Sequence, residues 1–145
     1  MKKRVLLGIV AGVSLVTLSG CGNSQKLTCT QTQEDDGTTA TQEMVVEFQD
    51  NEASAFTMTM NMVAENASAE DLKTAEEMLK LSFSAFEENG MNVDVSSDDT
   101  SVTAKVSADF SQMTDEEKEQ IGFTGSDNSY ETIKESFESE GYTCK

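Results

Sequence analysis

Apolar and polar positions alternate with a period of two over most of this chain, broken by one long stretch of helical period. Leu27-Thr28-Cys29-Thr30-Gln31 predicts a short strand with Leu27 and Cys29 on one face. Glu34-Asp35-Asp36-Gly37 reads as a turn, its Asp-Gly pair tolerating the positive φ that a hairpin needs. The next strand runs to Gln49, with Met44, Val46 and Phe48 alternating against Val45 and Glu47. After a turn at Asp50-Asn51-Glu52, Phe56, Met58, Met60 and Met62 alternate with Thr57, Thr59 and Asn61. Three strands with short connections predict an antiparallel meander, one face buried and one wet.

The period changes at Ser68. Ser68 and Asp71 form a capping-box pattern, and Leu72, Ala75, Leu79, Phe83 and Phe86 follow at helical spacing with Met78 beside them. Glu76 and Lys80 form a favourable surface pair, and Asn89-Gly90 is the expected stop. This main amphipathic helix is expected to cover the apolar face of the sheet. Met91, Val93 and Val95 resume strand alternation, and Ser97-Asp98-Asp99 turns into a strand through Val102, Ala104, Val106, Ala108 and Phe110. Thr114 to Glu117 repeats the capping pattern before a short helix, and Gly122 to Asn128 reads as loop. A last helix carries Tyr130, Ile133 and Phe137, ends at Gly141, and leaves Tyr142-Thr143-Cys144 for a closing strand. The order β-β-β-α-β-β-α-α-β defines an α+β class, an antiparallel sheet with a main and a C-terminal helix packed on it.

The first twenty residues stand apart from this domain. Lys2, Lys3 and Arg4 precede the apolar run Val5 to Val13, and the segment ends Leu18-Ser19-Gly20-Cys21. A basic start, a short apolar stretch and small residues before a cysteine look like a bacterial lipoprotein signal, too short for an ordinary spanning helix. That reading makes residues 1–20 a cleaved signal, Cys21 the lipid attachment point, 21–25 a short tether and 26–145 a single domain. It places the domain at the extracytoplasmic face of a cell membrane. The tether reaches at most roughly 14 Å when extended, so the domain would sit close over the headgroups.

Charge sharpens the picture. All 27 acidic residues follow residue 20, against seven lysines and no arginine, a net charge of −20. Nucleic-acid binding needs clustered Lys or Arg and is not expected. An anionic membrane gives this domain no attraction, so the lipid alone would hold it, and two or more acyl chains are needed for that. A cationic envelope ligand or protein partner is the complementary expectation. The absence of histidine removes the usual general base, the His-dependent triads and the commonest zinc ligand, so no enzyme is expected. Nothing in the spacing asks for a cofactor.

With Cys21 lipidated, Cys29 and Cys144 remain, near the two ends of the domain, and a disulfide between them is expected. Its condition is that first and last strands are neighbours, because bridged Cα atoms lie within about 7 Å. Two buried free thiols are the alternative, and a two-cysteine metal site lacks further soft ligands. Met58-x-Met60-x-Met62 puts three thioethers on one strand face, a pattern that suits Cu(I). The plainer reading buries them with Phe56 as core beneath the main helix.

Around Gly37, Thr32, Glu34, Asp36 and Glu43 fall at EF-hand-like offsets, but Thr32 stands where aspartate is needed and the segment is a hairpin. Adjacent acids such as Glu76/Glu77 and Asp98/Asp99 read as solvated surface, not as carboxylates across a cleft. Asn66-Ala67-Ser68 matches a glycosylation sequon and reads as the helix start.

The Leu18-Ser19-Gly20-Cys21 signal, the element order and the ending from Tyr130-Glu131-Thr132-Ile133 through Phe137 to Gly141-Tyr142 resemble the YehR-type bacterial lipoproteins. That family has no assigned biochemical function. The resemblance implies helices on an antiparallel sheet and a lipid anchor at Cys21, and carries no catalytic residues. The expected role is a non-enzymatic binding or accessory domain, with copper handling by Met58, Met60 and Met62 as the alternative.

Overall fold

In a computed structural model, which describes residues 23–35, 37–120 and 128–145, the alternating segments pair into one antiparallel sheet. Its strands are β1 (Ser24–Asp35), β2 (Thr38–Gln49), β3 (Glu52–Ala64), β4 (Asn92–Ser97), β5 (Ser101–Asp109) and β6 (Thr143–Cys144). They lie in the order β4-β5-β3-β2-β1-β6. The helices are α1 (Ala69–Glu88), α2 (Asp115–Gln120) and α3 (Tyr130–Ser139). This is the α+β class and element order that the alternation predicts. Among the described residues, no helix is long and apolar enough to cross a membrane.

Local chemistry sets the element ends. Asp50 and Asn51 take positive φ (52° and 67°) between β2 and β3, the left-handed pair of a tight hairpin turn. The register shifts once along that hairpin, at Glu47/Phe48, and the Ser54 hydroxyl donates to the Glu47 carbonyl there (3.1 Å). At α1 the Asp71 N–H donates to Ser68 Oγ (3.2 Å) and the Ser68 N–H to Asp71 Oδ2 (3.0 Å). The helix ends at Asn89, with Gly90 in the left-handed conformation (φ 80°). Thr114 and Glu117 make the second reciprocal cap, at α2.

Two expectations need revising. β1 is twelve residues long, not the short Leu27–Gln31 strand, because β2 pairs with it from Ser24 to Asp35. The sheet thus starts two residues before the expected boundary at Lys26, leaving only Gly22 and Asn23 between it and Cys21 in the sequence. The predicted loop from Gly122 falls outside the described residues except for Asn128.

The register sorts side chains cleanly. Leu27, Val46, Phe56 and Ala108 lie in one cross-strand row, and Cys29, Met44, Met58, Val106 and Val93 in the next. Both rows share the face carrying the core, where Leu27, Cys29, Val46, Phe48, Val102 and Val106 are almost wholly buried. The opposite face carries Thr30, Thr41, Thr57, Thr59, Asn61 and Thr103 and, among the described residues, receives no helix, as a one-sided sheet should.

Where α1 sits differs from expectation. It packs on β4 and β5, the strands that follow it, through Leu72 and Phe83. α3 packs on β1 and β6 through Ile133, with Tyr130 edge-on to Phe48 at 5.3 Å. The central strands β2 and β3 therefore lie between the two helices.

Candidate functional site

β2 and β3 form the floor of a groove. α1 and α3 are about four strand spacings apart, roughly 19 Å, whereas packed helices lie 8–10 Å apart. Toward the Asp50–Asn51 turn this floor is closed, with Val46, Phe48 and Phe56 buried. Toward Gly37, Ala40, Gln42, Met60 and Met62 stay partly exposed. A cavity of about 150 Å³ opens there, lined by Gln31, Gln33, Ala40, Gln42 and Met60.

These side chains converge because of register. Gln31 pairs with Gln42 and Gln42 with Met60; Gln33 pairs with Ala40 and Ala40 with Met62. All share the parity of Leu27, Cys29 and Val46, so glutamines stand where the core pattern would put apolar residues. The wall is built by the chain leaving α3. The Tyr142 hydroxyl donates to Gln42 Oε1 (2.7 Å), and Gln31 Nε2 donates to the Glu140 carbonyl (3.2 Å). Gln33 Nε2 donates to Gln31 Oε1 at 3.4 Å. Gln42 Nε2 and Gln33 Oε1 have no partner among the described residues, so one donor and one acceptor line the shelf unspent. Burial, then the charge of Glu140, pushes the Tyr142 hydroxyl pKa up, which keeps it a neutral donor.

Gln31, Gln33, Ala40, Gln42 and Met60 bring no charged group to the shelf, in a chain that carries 27 acids. The charge lies at its edges: Asp35 ends β1, Glu65 follows β3 with its N–H on the Gly37 carbonyl (3.1 Å), and Glu138 and Glu140 lie at the end of α3. Such an arrangement can hold an apolar surface and two or three hydrogen bonds inside a negative field. The shelf holds no nucleophile and no acid–base pair.

The sequence-predicted sites fall as follows. Cys29 and Cys144 are bridged, their Cα atoms 4.0 Å apart. Thr28 and Lys145 exchange both backbone hydrogen bonds beside them (3.1 and 2.9 Å), so the cysteines face each other across the closer, non-hydrogen-bonded pair. Met58 and Met60 pack partly buried against the core, but beside α1 rather than beneath it, and Met62 is also partly exposed. Met44 joins the row as the direct neighbour of Met58. Thr32 and Glu34 are strand residues of β1 and Glu43 of β2. Ser68 is the α1 cap, as its place before the helix suggested. Cys21 lies outside the described residues.

Sequence reasoning missed Gln31, Gln33, Gln42 and Tyr142. A signal existed for the glutamines, since they continue the buried-face parity of Leu27, Cys29 and Met44 with amides. Such a break marks where cover over a sheet stops.

No protein-family model matches the chain, and no curated protein does. The fold is similar to the NMR structure of a protein from Streptococcus pneumoniae TIGR4, at TM-score 0.53 and 14% identity, over 100% of this chain and 97% of that one. At this identity the likeness concerns the fold alone.

Proposed function

We propose that this chain is a lipid-anchored extracytoplasmic binding domain, anchored through Cys21, that engages a cationic envelope partner without turnover. The observation that carries the reading is the uncharged, partly apolar shelf at Gln31, Gln42 and Met60 in a domain whose residues after position 20 carry a net charge of −20. Binding without chemistry suits a site with hydrogen-bonding capacity but no reactive group. The leader pattern up to Cys21, and the resemblance to YehR-type lipoproteins, support the anchor. β1 starts three residues after Cys21 in the sequence, and Gln31 stands roughly 23 Å along the strand from Ser24. A lipid on Cys21 would thus leave the shelf at the end of the sheet away from the membrane.

Intact mass of the protein from membrane fractions tests the anchor: cleavage before Cys21 with added diacylglyceryl mass is expected, and an intact leader with a free thiol overturns it. Pull-down from detergent-solubilised envelopes tests the partner. Basic proteins eluting as salt rises are expected, and retention indifferent to salt removes the cationic partner.

Copper handling is the second reading, favoured by one observation: Met44 lies directly opposite Met58, adding a fourth thioether to the Met58, Met60 and Met62 row. Anaerobic Cu(I) titration decides it. Stoichiometric binding with sulfur-only ligation, lost in Met58→Leu/Met60→Leu, supports copper; undisturbed methionine methyl signals retire it.

A further inference from the structure

We infer that the groove between α1 and α3 is a docking site for a basic amphipathic helix of a partner protein, whose apolar side chains rest on Met60, Met62 and Ala40. The inference rests on the cationic-partner reading and names the surface and shape that reading leaves open.

Three observations carry it. The first is room: helices about 19 Å apart leave roughly 10 Å between their surfaces, close to the diameter of one more helix. The second is the floor. Met44, Met58, Met60 and Met62 supply four of the seven methionines beyond residue 20, and Met78, 64% exposed, stands on α1. Glu76, on one flank of α1, accepts from Ser97 of the edge strand β4, and helical spacing puts Met78 on the other flank, toward the groove. Unbranched thioether chains re-pack around varied apolar partners, which suits a groove that reads amphipathic helices.

The third is charge. Asp35 ends β1 on the shelf's face, and Glu65, Glu138 and Glu140 lie at the same end of the sheet, so lysines or arginines flanking an apolar stripe would meet carboxylates while the stripe meets methionine. A second copy is disfavoured by like charge, since the residues after position 20 carry a net −20. A glycan is disfavoured because the aromatic rings beside the groove are already paired, Phe137 with Tyr142 at 5.5 Å and Phe83 with Phe86 at 5.6 Å. Gln42 Nε2 and Gln33 Oε1, unpaired among the described residues, would serve the polar edge of the docked helix.

The test uses the mature lipoprotein in phosphatidylcholine nanodiscs with labelled methionine methyl groups, titrated with an amphipathic Leu/Lys peptide of about four helical turns. The Met60 and Met62 methyl signals should move and those of buried Met91 and Met113 should not. Raising salt to about 0.5 M should weaken the response, because a Debye length of a few Å screens the rim. Ala40→Trp fills the shelf and should weaken binding roughly tenfold, as loss of a central contact does, with unmoved Met91 and Met113 signals reporting an intact fold. An equal response to an all-Lys peptide, or to a Leu/Glu peptide, overturns the inference. So does unchanged affinity in Ala40→Trp; if that variant also keeps its salt-sensitive envelope partner in pull-down, the groove fails while the cationic-partner reading stands. Response to N-acetylglucosamine oligomers in place of the peptide would likewise overturn it in favour of a glycan.

Discussion

The two ends of the strand order hold their helices by different chemistry. At the β4–β5 end, α1 is twenty residues long, sealed by a reciprocal cap, and buries Leu72 and Phe83 against Val95, Ala104 and Val106. At the β1–β6 end, α3 has ten residues, fully buries only Ile133, and its N-cap Ser129 makes no side-chain bond to the helix backbone. The second end instead carries the covalent link, Cys29 to Cys144. A short helix on a two-residue edge strand buries too little to hold itself, and the disulfide offsets the missing apolar area. Between these two solutions lies the floor of β2 and β3, which is left partly open only toward Gly37.

The largest expected effect comes from reduction. The bridge spans 115 residues, and in the chain-entropy model removing it costs about 4–5 kcal/mol. Thermal melts with and without reductant should show a large drop in Tm. Hydrogen exchange should show β6 and α3 opening before β4 and β5. A melt indifferent to reductant would break the contrast, because apolar packing would then be holding both ends. Next in size is Phe83→Ala, which leaves a cavity at the α1–β5 interface and should cost about 3–4 kcal/mol by denaturant unfolding. In the reduced protein the same substitution should add to the loss without coupling, since the two sites share no partners.

How much of this was legible in the sequence follows from what each signal measures. Period-two alternation reports which face of a strand is wet, and Met44 to Phe48, Phe56 to Met62 and Val102 to Phe110 announced their strands for that reason. The caps at Ser68 and Thr114 were equally plain, since a capping box is a local pattern of four residues. What alternation cannot report is which stretch of the buried face a helix covers. Met58, Met60 and Met62 read as core beneath α1, yet the α1–β4 connection lays that helix over its own following strands. The shelf is invisible for the same reason. Its parts come from β1, β2, β3 and the residues after α3, and only the register brings Gln31, Gln42, Met60 and Tyr142 together. Length failed too: β1 beyond Gln31 is held by pairing with β2, not by burial, so nothing apolar marks its end.

Acid should strike the opposite end from reductant. The carboxyls of Asp71, Glu76, Asp98, Asp109 and Glu117 all belong to α1, β4–β5 or α2, and hydrogen bonds hold each below its ordinary value. The Ser68 hydroxyl and N–H act on Asp71; Lys80, then Ser97, on Glu76; and the N–H groups of Thr100 and Ser101 on Asp98. The Ser111 hydroxyl and N–H act on Asp109, and the Thr114 N–H and hydroxyl on Glu117. A carboxyl whose folded pKa is depressed stabilises the fold above its unfolded pKa, and that contribution is lost as pH falls through the folded value. Stability of the α1 end should therefore hold down to the ordinary values of 3.8 and 4.5 and decline below them. The disulfide does not titrate. Exchange protection measured against pH should show α1 and the β4–β5 turn loosening while β1 and β6 stay closed. Simultaneous loss at both ends would mean that the two ends open as one cooperative unit.

The smallest effect separates the two helix starts, and it is the finest test of the contrast. Both helices begin at a serine with extended backbone, Ser68 with φ −77° and Ser129 with φ −76°. Residue type and backbone angle therefore predict equal caps. Hydrogen bonding separates them: Ser68 Oγ accepts from the Asp71 N–H, whereas Ser129 Oγ lies 3.0 Å from the Thr132 hydroxyl. Ser68→Ala should cost about 1 kcal/mol, the usual value for losing a cap. Ser129→Ala should change stability by less than about 0.5 kcal/mol, the range of ordinary surface substitutions. Paired urea titrations at neutral pH resolve that difference. Equal losses would show that Ser129 caps α3 in solution, and that the shorter helix draws on local backbone chemistry as well as on the disulfide.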